Sequence, residues 1–125
     1  MGRKETLEQR RHKRYKAKEG AFAVIRKQAK TKTLGQILDI SDGGLAFKYI
    51  ANGKPANSDH TLDIFYAGLG IQLRSLTFLT ISDFPMEDQP TFSSIRMRRC
   101  GIQFTGLGEE HKSQIIEFIN YYTLQ

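Results

Sequence analysis

The chain is poor in residues that cross-link, coordinate or span. Cys100 is its only cysteine, so no disulfide can close within it and a reducing compartment is expected. It has no tryptophan and only three prolines. His12, His60 and His111 stand far apart with no HxxxH or HExxH spacing, and Cys100 has no CxxC partner. That pattern argues against a metal centre. No apolar run approaches the roughly 20 residues that span a bilayer. The charged N-terminus has no apolar stretch behind it, so it does not read as a secretory signal. The expected setting is the cytoplasm. At 125 residues the chain fits one domain with a modest core.

Acidic residues are scarce at one end. Residues 1–32 hold twelve Lys and Arg against three Glu, a balance of +9. The other 93 residues hold seven basic and ten acidic groups, a balance of −3. The segment "QRRHKRYKAKEG", 9–20, concentrates three Arg and three Lys with no apolar periodicity. Such a segment is either a solvated tail or one side of an anion site. It reads as a flexible basic arm rather than as core.

Beyond the arm the apolar pattern alternates. "GAFAVIRK" (20–27), "TLGQILDIS" (33–41), "GLAFKYI" (44–50), "HTLDIFY" (60–66), "GIQLRSLTFLTISDF" (70–84) and "FSSIRMRRCGIQF" (92–104) read as six strands. The fifth changes face at Leu76, which suggests a bend. "DGG", "ANGKPANSD" and "PMEDQP" break between them. The period then becomes helical over 108–124, with Ile115, Ile116, Ile119 and Tyr122 on one stripe and Phe118 beside it. The expected fold is all-β: a six-stranded antiparallel β-barrel with a C-terminal amphipathic helix and a flexible basic N-terminal arm. The expected division is an arm over 1–9 and a barrel domain over 10–125.

Pairing 20–27 with 33–41 as a hairpin sends the arm to the far end of the second strand. Arg10 to Gly20 then lies beside "DISDGG", 39–44. Arginine supplies a planar fork for phosphate oxygens or for guanine O6 and N7. Asp39 offers the converse, accepting from the N1 and N2 hydrogens of guanine. The glycine turn offers backbone N–H groups to an anion. Taken singly, these residues have blander readings: Asp39 and Ser41 as turn formers, Gly43 and Gly44 as positive-φ positions, Arg10 and Arg14 as solvated charges. Lys16 and Lys18 read as solvated charges.

Arg10 and Arg14 form RxxxR, and Asp39, Ser41 and Gly44 form DxSxxG, about 25 residues on. The ordered pair resembles the signature of the PilZ domain, the bacterial receptor module for cyclic di-GMP. "RRCGIQF", 98–104, resembles the family's last barrel strand, and the likeness covers roughly 8–122. It implies that Arg10 and Arg14 grip guanine and phosphate, and that Asp39 bonds a guanine edge with Ser41 assisting. It implies that Gly44 lets the turn approach the ligand, and that Arg11 contacts a phosphate or a second ligand molecule. It also implies an arm that wraps its ligand, an unidentified downstream protein as target, and a receptor rather than an enzyme. Ser41 sits in DxSxxG and not in a GxSxG nucleophile elbow. Two alternatives stand beside this: a small basic barrel for single-stranded nucleic acid, and a PilZ-like adaptor that binds no nucleotide. The strand aromatics (Phe22, Phe47, Phe65, Phe78, Phe104) read as core, and Tyr15 is the arm's only aromatic, which disfavours the first. The intact motifs disfavour the second.

Overall fold

The computed structural model describes residues 13–27, 31–50, 61–86 and 96–125. In chain order they form β1 (Tyr15–Ala17), β2 (Ala21–Lys27), β3 (Thr31–Ile40), β4 (Gly44–Ile50), β5 (Thr61–Tyr66), β6 (Gly70–Pro85), β7 (Met97–Thr105), α1 (Glu109–Tyr122) and β8 (Thr123–Leu124). Six strands pair antiparallel in the order β2-β5-β6-β7-β4-β3, and β3 returns to β2 to close the barrel. Closure removes the exposed edges that an open sheet of this composition would present.

The strand pattern places apolar side chains inside. Ile25, Ile37, Leu45, Phe47, Leu62, Leu73 and Phe78 are all buried. Each such side chain contributes about 1.5–3 kcal/mol on burial. Phe47 is fitted against Gly35, where an added Cβ would lie 2.2 Å from its ring.

Four register shifts interrupt the ladders, two of them between β5 and β6, and three bear on side-chain placement. Between β3 and β4 the register shifts from Ile37↔Phe47 to Asp39↔Ala46, leaving Leu38 as the extra residue. Without that bulge Asp39 would share the inward parity of Gly35 and Ile37. With it, Ile40 is buried and Asp39 faces outward. Between β5 and β6 the shift falls at Asp63, opposite Ser75 with φ 58°. Asp63 is buried; its Oδ1 accepts from the Ser75 backbone N–H at 2.8 Å and its Oδ2 from Arg26 Nε at 2.8 Å. This carboxylate holds the bend that the change of face at Leu76 announces. A third shift, between Thr80 and Ser82, leaves Ile81 out of the β6–β7 register.

The expected arm and helix need correction. Tyr15–Ala17 is a strand, not loose arm: β1 pairs with β3 (Tyr15↔Ile40, Lys16↔Asp39) and with β8 (Lys16↔Leu124, Ala17↔Thr123), and Ala17 is buried. Both partners lie far off in sequence, so no local signal marks it. The helix ends at Tyr122 instead of 124, because the chain turns extended to pair with β1. Its buried residues are Ile115, Phe118 and Ile119, whereas Ile116 is exposed. Tyr122 stacks on Tyr66 with ring centroids 4.5 Å apart, fixing the helix against the barrel. Lys18 is not an idle charge. Its Nζ donates to the Tyr121 carbonyl at 3.1 Å, a cation at a helix C-terminus whose last turn has no basic residue. Residues 1–12, 28–30, 51–60 and 87–95 lie outside the described residues, the expected arm over 1–9 among them.

Farther along β4 and β7, the buried Tyr49 donates from its hydroxyl to Asp83 Oδ2 at 2.6 Å, and Arg98 Nε donates to Asp83 Oδ1 at 2.7 Å. Burial, and then the bond to Asp83, push the Tyr49 phenol well above the usual tyrosine range. Cys100 lies on the inward face of β7, and burial, followed by the charge of Asp83, pushes its thiol up to about 12. Since the thiolate is the reactive form, native protein at pH 8 is expected to resist alkylation by iodoacetamide and to label readily in urea. Equal labelling with and without urea, followed by mass spectrometry, would show that the thiol is accessible.

Candidate functional site

The site begins at the turn between β3 and β4. The Ser41 backbone N–H donates to the Gly44 carbonyl at 2.8 Å. The buried Ser41 Oγ accepts from the backbone N–H groups of Gly43 and Gly44, at 3.1 and 3.2 Å. Ser41 therefore builds the turn from within. The two glycine N–H groups that sequence reasoning offered to an anion are already engaged by Ser41.

Gly44 has no positive φ, so conformational freedom is not what requires it. Space is. A Cβ there would lie 2.2 Å from the Ile102 carbonyl oxygen, across the β4–β7 pairing. Glycine draws the turn tight against β7.

Arg14 stands just ahead of β1, whose pairing with β3 carries it to Asp39. Its Nη1 donates to Asp39 Oδ1 at 2.5 Å. The other carboxylate oxygen, Oδ2, accepts from Arg99 Nη2 at 3.3 Å. Arg99 comes from β7, two strands away, and sequence reasoning missed it. Only the "RRCGIQF" segment pointed near it, and nothing there marks Arg99 as facing Asp39.

The outward row Asp39–Ala46–Gly101–Ser82 runs across β3, β4, β7 and β6. Its middle members carry almost no side chain, so a cavity of about 630 Å³ opens above them. Arg14 and Arg99 line it together with the Ser41–Gly44 turn, and Ile81, Phe104 and Leu107 supply apolar wall. Ile81 is there because the β6–β7 irregularity leaves it out of register. The arrangement offers two guanidinium forks that share the Asp39 carboxylate, the Asp42 side of the turn and apolar surface in a concave site, which suits an anionic ligand with a flat polar edge.

Of the residues singled out by sequence, Arg14, Asp39, Ser41 and Gly44 come together here. Arg10 and Arg11 lie outside the described residues. Among the described residues, no group of three His, Cys, Asp or Glu could hold a metal ion, and no helix is long and apolar enough to cross a membrane.

A closed six-stranded barrel with an arginine–carboxylate pair beside the β3–β4 turn places the chain among small all-β barrel domains. The PilZ domain model matches residues 8–121, nearly the whole chain, and the protein belongs to the PilZ family. The fold is similar to that of the PilZ domain of YcgR from Escherichia coli, solved with c-di-GMP (TM-score 0.67, 15% identity, covering 90% of this chain and 89% of that one). It is also similar to K. pneumonia MrkH in complex with c-di-GMP (TM-score 0.66, 16% identity, covering 88% of this chain and 50% of that one). A third likeness is to K. pneumonia MrkH in its apo state (TM-score 0.61, 15% identity, covering 86% and 47%). The chain thus spans about half the length of the MrkH chains. No curated protein sequence matches it.

Proposed function

We propose that this protein is a cyclic di-GMP receptor that acts by binding and not by chemistry, and that its bound form regulates a partner protein. The observation that carries the reading is the meeting of Arg14 and Asp39, one from each motif, at the cavity of about 630 Å³. That volume lies within the range of roughly 300–1,000 Å³ usual for small-molecule sites. Family membership and the c-di-GMP complexes of two similar folds support the choice of ligand.

The described geometry is a resting one, in which the two recognition groups occupy each other. On binding, the guanine N1 and N2 hydrogens donate to Asp39, and Arg14 moves its fork to guanine or phosphate. Arg10 grips the ligand with Arg14, Arg11 contacts a phosphate, and Ser41 and Gly44 hold the turn against the nucleotide. The basic arm then closes over the ligand and changes the surface at that rim of the barrel. A partner in motility, adhesion or exopolysaccharide export reads the changed surface, in the cytoplasm.

Isothermal titration calorimetry of the purified chain with cyclic di-GMP tests this. Saturable binding is expected, with one or two ligand molecules per chain. Failure to saturate at about 100 μM ligand would overturn the receptor reading. In that case, stoichiometric binding of single-stranded DNA would favour a nucleic-acid role.

A further inference from the structure

We infer that Arg99 is a positioning residue for guanine recognition: it holds the Asp39 carboxylate in its reading orientation while Arg14 leaves that carboxylate for the ligand. The inference rests on the receptor reading above and adds a residue that neither motif contains.

Three observations carry it. First, the two oxygens of Asp39 are divided between two arginines, Arg14 on Oδ1 and Arg99 on Oδ2. A carboxylate has about four lone-pair sites and each arginine takes one, so the two guanine donors can be accepted while an arginine still holds the group. An arginine that turns to the ligand gives up its own bond to Asp39, and the one that stays keeps the carboxylate oriented.

Second, the two differ in anchorage. Arg14 precedes a three-residue strand, and its side chain is 51% exposed. Arg99 lies within the nine-residue β7, paired on both sides in the closed barrel, and its side chain is 34% exposed. Its guanidinium carbon lies 6.0 Å from the ring centroid of Phe84, its cross-strand partner, in cation–π range. Arg14 is the arginine free to move.

Third, the lane between β7 and β3 is clear. Ala46 and Gly101 lie directly between Asp39 and Ser82 in the outward row, and Arg99, on the same outward face, reaches diagonally over them. Deprived of Arg99, the Asp39 carboxylate would keep only Arg14, and pairing with Arg14 is the state in which neither group can read guanine.

The test is a double-mutant cycle read by calorimetry with cyclic di-GMP on the wild type, R99Q, D39A and R99Q/D39A, with thermal unfolding confirming that each variant is folded. R99Q is expected to weaken binding about tenfold in the wild-type background and less than about twofold in the D39A background, because the effect passes through Asp39. A tenfold loss in both backgrounds would overturn the inference, since Arg99 would then be acting on the ligand directly. Equal binding by wild type and R99Q would overturn it too while leaving the receptor reading intact. No binding by the wild type would overturn the receptor reading and this inference with it.

Discussion

Asp39→Ala is expected to weaken cyclic di-GMP binding on the order of 10- to 100-fold, an effect of about 1.5–3 kcal/mol for a lost charge-assisted contact. The reason is geometric. The β3 bulge turns Asp39 out of the core and beside the cavity, where its carboxylate binds two of the lining residues, Arg14 and Arg99. Alanine removes the acceptor for the guanine edge and leaves two cations facing each other. Those cations are partly solvated, so the fold should lose little. The ion pair of Asp39 with Arg14 is half exposed, and pairs of that kind contribute at most about 1 kcal/mol to stability. Arg14→Ala should weaken binding by a similar factor, again with little change in unfolding. Calorimetry and a thermal melt on each variant separate the two quantities. Wild-type affinity in both folded variants would mean that the ligand sits elsewhere.

Gly44→Ala should do the reverse, acting first on stability. The added Cβ would lie 2.2 Å from the Ile102 carbonyl oxygen and 3.2 Å from the Gln103 Cα. Both are main-chain atoms of β7, held by pairing on either side, so no flexible tip can swing aside. Relief requires β4 and β7 to part at the mouth of the cavity. Overpacking of this kind costs about 3 kcal/mol, and in a domain of this size the melting temperature should fall on the order of 10 °C. Because the same displacement tilts the Ser41–Gly44 turn, binding should weaken with it. A melt within a few degrees of wild type would show that the β4–β7 contact is looser than described.

Both variants fall on motif residues, yet they fail for different reasons, and that separates the members of DxSxxG. Asp39 presents its carboxylate to Arg14 and Arg99. Ser41 is buried and spends its hydroxyl on the N–H groups of Gly43 and Gly44. Gly44 is an absence of volume against β7. The resemblance implied a direct part for Ser41 and close ligand approach at Gly44. The geometry first gives each a role in building the turn that presents Asp39. Arg14 sits on its cavity because β1 is clamped between β3 and β8, and Lys18 ties the same segment to the end of α1. The C-terminal helix thus helps to hold the arginine end of the site as well as covering apolar surface.

What could be read from the linear chain was whatever repeats locally or is adjacent in a hairpin. Alternation marked the six barrel strands, the change of face at Leu76 marked the bend, and pairing of the first two strands as a hairpin placed the basic arm beside "DISDGG". Those features arise from periods of two and from short connections, which neighbouring residues encode. The rest depends on partners distant in sequence. A short strand inside a charged arm forms because β3 and β8 offer it backbone partners on both sides. The bulge that turns Asp39 outward depends on its register against β4. Arg99 lies 60 residues from Asp39, and the two meet because β4 pairs with both β3 and β7, which sets β7 two strands from β3. Local patterning specified the strands and brought the segment of Arg14 beside that of Asp39. Long-range register decided which way the carboxylate points and which second cation holds it.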